Sequence, residues 1–112
     1  MMERLKVNLK DFSKDQQKIF SGREYGIAVR DKVKLDEFDQ STELEIFFII
    51  PEYVVSLNSS FFLGLFGRSI RNLGIGEFER RFEFDCEPHI RKNIEAGKRR
   101  ALLTSNVIDE YL

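Results

Sequence analysis

The run Leu44-Glu45-Ile46-Phe47-Phe48-Ile49-Ile50 is apolar at every position but one. Such near-continuous apolarity predicts a strand covered on both faces, as at the centre of a parallel or mixed sheet. Pro51 ends it, because proline cannot donate to a ladder. Val54 to Leu57 continue the crossing to a polar trio, Asn58-Ser59-Ser60. Beyond the trio, Phe62, Phe66, Ile70 and Leu73 recur at helical spacing, with Gly74 as the C-terminal stop. A buried strand therefore empties through a short polar loop into a helix start.

The rest of the chain follows weaker patterns. Leu5, Val7 and Leu9 alternate with Lys6, Asn8 and Lys10, which predicts a half-buried strand over residues 1–10. Asp11 to Lys18 read as a polar loop, and Ile19-Phe20 as a short second strand. Ser21 with Glu24 three residues later has capping-box spacing, so a helix is expected over Arg23 to Leu35, with Tyr25, Ala28, Val29 and Val33 near one face. Asp36 to Glu43 read as an acidic surface connection. Phe78, Phe82 and Phe84 among Glu77, Glu79, Glu83 and Asp85 suggest a further strand. Pro88 suits the first turn of a last helix, with Ile90, Ile94, Ala101 and Leu102 buried and Lys98-Arg99-Arg100 solvated. No element is assigned to the tail from Thr104.

The order β, β, α, β, α, β, α predicts one α/β domain over residues 1–112: a mixed sheet of about four strands with helices packed largely on one face. A chain of 112 residues can build one core without disulfides or metal. Eleven Phe and no Trp suggest that phenyl rings fill it. A net charge of −1 gives no general attraction to nucleic acid or anionic membrane. The apolar runs fall short of the ~18 residues of a transmembrane span. Cys86 is the one cysteine, which excludes an internal disulfide. With no signal peptide in view, the expected location is the cytoplasm.

Asn58-Ser59-Ser60 has two readings. As caps, these side chains accept hydrogen bonds from the first-turn N–H groups. As a working surface, a serine at a helix N-terminus could carry a phosphate there, favoured by free donors and the positive end of the helix dipole. Phe61 lies one residue off the apolar stripe and is expected to be partly exposed, as a docking anchor. Arg23 is either part of a helix start or a contact for an anion or partner. His89 has no companion at metal or triad spacing, so neither a metal site nor a hydrolase is expected, and no cofactor is implied.

The apolar strand followed by Leu57-Asn58-Ser59-Ser60 and a helix resembles the STAS domain of bacterial anti-sigma factor antagonists. The closer resemblance is to the STAS-like domain family of uncharacterised bacterial proteins. It rests on Gly22-Arg23-Glu24, Ile46 to Ile50, Ser60-Phe61 and Phe78-Glu79-Arg80-Arg81-Phe82 in that order, and covers roughly residues 20–100. Asn58 stands where the antagonist loop has an acidic residue, Phe61 where it has glycine, and Ile50-Pro51-Glu52 where the strand usually ends in Asp. The resemblance implies a non-enzymatic regulatory protein-binding module. Ser59 would be phosphorylated, and the partner would be a GHKL-type ATPase or serine kinase. The alternative is an immunity or inhibitor protein of a toxin or phage-defence system, using Asp36-Glu37-Phe38-Asp39 as an acidic surface.

Overall fold

The computed structural model describes residues 3–107 apart from 42, with side chains as far as 103. Strand β1 (Glu3–Asn8) is followed by a 3-10 turn (Leu9–Phe12) and β2 (Ile19–Phe20). Helices α1 (Arg23–Val33) and α2 (Leu35–Gln40) precede β3 (Leu44–Ile49) and β4 (Ser56–Leu57). Then come α3 (Ser59–Leu73), α4 (Ile75–Arg81), β5 (Phe82–Asp85) and α5 (Pro88–Val107). The strand expected over residues 1–10 is seen as Glu3–Asn8; Leu9 and Lys10 belong to the 3-10 turn instead, and Met1 and Met2 lie outside the described residues.

The architecture is α/β, as the alternation predicts, but the strands divide differently. A three-stranded sheet has the order β1-β3-β5, and β2 pairs with β4 in a separate two-stranded sheet. Every pairing is parallel, so the sheet expected to be mixed is not. Each strand returns to its neighbour through a helical crossover, which imposes parallel pairing. β3 is central, as its apolarity predicts. Its helix-side residues Ile46 and Phe48 are buried, whereas Phe47 and Ile49 on the other face are only partly so.

The core is built from rings. Phe66 of α3 meets Phe48, Phe78, Phe82 and Phe84 at centroid distances of 5.2, 5.8, 5.6 and 5.4 Å. These contacts tie α3 and α4 to the middle and one edge of the sheet, in edge-on geometries that phenyl rings favour. Helices α1 and α3 cross at two glycines. A Cβ on Gly26 would lie 2.2 Å from the Phe61 carbonyl oxygen, and one on Gly64 would lie 2.1 Å from that of Arg23. Only glycine lets the two backbones come so close.

Several local expectations are corrected. Gly22, not Ser21, is the N-cap of α1, with φ of 99°. The first helical residue is Arg23, one position too late for Ser21 to cap it. The helix expected to reach Leu35 stops at Val33, where Lys34 turns left-handed at φ 65° and donates to the Arg30 and Asp31 carbonyls. Ala28, placed on the inner face, is exposed. The supposed acidic connection is largely α2, whose Leu35 and Phe38 are buried. The strand expected from Phe78 begins only at Phe82, because Phe78 and Phe82 stack at 4.4 Å across the last turn of α4. Leu102 is 40% exposed rather than buried, and Lys98 is drawn in against Glu79 and Glu95 rather than fully solvated.

Two buried arginines join elements. Arg81 donates to the Leu44 and Phe38 carbonyls and lies 4.5 Å from the Phe38 ring centroid. Arg30 donates to the Leu65 carbonyl, the Ser69 hydroxyl and the carboxylates of Asp36 and Asp39, binding α1, α2 and α3 together. Every donor of its guanidinium is used, which is what a buried charge requires.

Candidate functional site

The two-stranded sheet sets up the site. β2 and β4 run parallel, so both deliver the chain to a helix start at the same end: α1 through Gly22 and α3 through Asn58. Asn58 joins the two. Its backbone N–H donates to the Phe20 carbonyl at 3.0 Å, and its Nδ2 donates to Ser21 Oγ at 2.9 Å. Its Oδ1 accepts from the Phe61 N–H at 2.9 Å, which is N-capping as the sequence predicts. Arg23 opens α1 with its side chain exposed.

Ser59 and Ser60 occupy the first turn of α3 and are half-buried. Arg100, from α5, reaches them with one nitrogen. Its Nη1 donates to Ser59 Oγ at 2.8 Å and lies 3.2 Å from Ser60 Oγ. Asn93 of α5 supports the approach strand, accepting from the Leu57 N–H at 2.9 Å. Sequence reasoning treated Arg100 as a solvated surface charge and passed over Asn93. Asn93, Gly97 and Arg100 fall at spacings of four and three, one face of a helix. A Cβ on Gly97 would sit 2.4 Å from the Phe62 ring, so this face meets the start of α3 closely.

Phe61 is not an exposed anchor. It is fully buried, 5.3 Å from Phe20 and 5.2 Å from Tyr25 by ring centroids. The cause is the convergence of β2 and α1 on the first turn of α3, which closes over position 61. Of the proposed surface, Asn58, Ser59 and Ser60 stand together at its rim, and Phe61 holds it from beneath.

The remaining candidates are tied into the structure. His89 Nε2 lies 3.0 Å from the Val54 carbonyl, a bond the ring makes as donor. Burial pushes the Cys86 thiol up, which disfavours its nucleophilic thiolate. The acidic segment offered as an inhibitor surface is partly consumed: the Asp39 side chain is 3% exposed against Arg30, and Asp36 bridges Arg30 and Arg68. The hydrogen bond from Arg30 holds the Asp36 carboxyl below its usual range. Among the described residues, no cluster of three or more His, Cys, Asp or Glu could hold a metal. No helix among them is long and apolar enough to cross a membrane. No family model matches the chain, and no curated protein or solved structure does.

Proposed function

We propose that the chain is a cytoplasmic, non-enzymatic regulatory module that binds a protein partner through the start of α3, with Ser59 as its switch. The observation that carries this reading is the position of Arg100, whose Nη1 lies within 2.8 and 3.2 Å of the two serine hydroxyls. A phosphate on Ser59 would carry between one and two negative charges at neutral pH. The guanidinium, the first-turn N–H groups and the positive end of the α3 dipole would all favour it. The same charge would repel a partner that reads the unmodified loop through acidic or apolar groups. The resemblance to STAS domains supports a serine kinase or GHKL-type ATPase as that partner.

The test is capture from the native host on wild-type, Ser59→Ala and Ser59→Asp proteins, read by mass spectrometry, with the wild-type loop searched for phosphoserine. A partner kept by Ser59→Ala and lost with Ser59→Asp supports the switch. Equal retention by all three removes it and leaves Asn58, Ser59 and Ser60 as a helix start alone.

A further inference from the structure

Parallel sheets are normally covered on both faces. Among the described residues, the helices cover only one face of β1-β3-β5, where Phe48, Phe82 and Phe84 meet Phe66. The ladder registers define the other face. One row holds Lys6, Phe47 and Glu83, and the next holds Asn8, Ile49 and Asp85; Arg4 and Glu45 pair at one end. Arg4, Lys6, Glu83 and Asp85 are exposed, while Phe47 and Ile49 are half-buried. Arg4 lies 4.7 Å from the Phe47 ring centroid and pairs across it with Glu83.

The face has a direction. Cations line the β1 flank, carboxylates line the β5 flank, and an apolar stripe of Phe47 and Ile49 lies between. Two twofold axes could bring this face against a second copy of itself. An axis across the strands sets β1 over β1, with cations against cations. An axis along β3 sets β3 over β3 and exchanges the flanks. Lys6 then faces Glu83 of the partner subunit, and Asn8 faces Asp85 of the partner subunit, on both sides of the stripe. Glu45 meets its own copy at one end, with Arg4 beside it as counter-charge. An isologous interface needs a self-complementary patch, and only the second axis makes this one so.

We infer that this open sheet face is a homodimer interface, with the twofold axis along β3. Three strands about 4.8 Å apart, β1 and β3 of six residues and β5 of four, give a face of at most roughly 14 by 20 Å. That is small for a specific interface, so the dimer is weak and forms with rising concentration. The inference is independent of Ser59.

Sedimentation equilibrium of the full chain from micromolar to millimolar concentration tests it, with Lys6→Glu and Glu83→Lys as variants checked for folding by circular dichroism. The wild-type mass should rise from 13.2 kDa towards twice that value. Each variant alone places like charges together at both contacts and should associate at least about tenfold more weakly. An equimolar mixture restores opposite charges at both contacts and should recover the association. A wild-type mass that stays at 13.2 kDa throughout overturns the inference. So does dimerisation indifferent to both reversals, or a mixture no stronger than its components.

Discussion

Arg30→Met is the most informative perturbation of this fold. The Arg30 side chain, on α1, is 3% exposed and satisfies acceptors on two other helices: the Leu65 carbonyl at 3.0 Å, Ser69 Oγ at 2.8 Å, Asp36 Oδ1 at 2.7 Å and Asp39 Oδ2 at 2.6 Å. Methionine fills much of the volume and removes every donor. Asp36, with its side chain 51% exposed, can rehydrate. Asp39 cannot, because its side chain is 3% exposed and would keep only the Ser69 hydroxyl, at 2.8 Å. Stranding one member of a buried pair costs about 3–5 kcal/mol. With a urea slope of about 1.5 kcal/mol per molar, the unfolding midpoint should fall by roughly 2–3 M. Removing both partners in Arg30→Met/Asp39→Leu should cost less than the sum of the singles by at least about 2 kcal/mol, since an apolar pair leaves no stranded charge. A loss below about 1 kcal/mol for Arg30→Met, or singles that add within about 0.5 kcal/mol, would refute this account of the network.

Four further outcomes can be checked by the same denaturation assay. Gly26→Ala and Gly64→Ala drive a methyl into backbone oxygens at 2.2 and 2.1 Å and should each destabilise by more than about 2 kcal/mol. Gly67→Ala meets nothing closer than a Leu63 methyl at 3.7 Å and should instead stabilise α3 by about 0.5–1 kcal/mol. Asn58→Ala removes the cap of α3 and the link to Ser21, and should cost about 1–2 kcal/mol. The Asp36 carboxyl is lowered in the folded state from 3.8, so its contribution is complete above that value and is lost as pH falls through the lowered one. Asp36→Asn should therefore flatten the acid limb of the stability profile below pH 3.8, by less than about 1 kcal/mol because the group is half exposed.

The elements legible in the sequence are those whose signal is local. β3 is apolar at every position but Glu45 and stops before a proline. The apolar stripe of α3, its Asn58 cap and its Gly74 stop all lie within a turn of the residues they serve. Alternation of such elements was enough for the α/β class. Tertiary structure decided the rest, because the deciding partners are remote. Phe61 is buried by Phe20 and Tyr25, delivered by another strand and helix. Phe78 could be a strand or a helix residue by spacing, until Phe66 takes its ring on the helical side. Arg100 meets Ser59 and Ser60 across some forty residues of chain, and Arg30 reaches Ser69 from almost as far. Parallel pairing likewise depends on where each crossover lands. Hydrophobic period and capping act over one turn, whereas a buried guanidinium needs acceptors that only the assembled helices bring together.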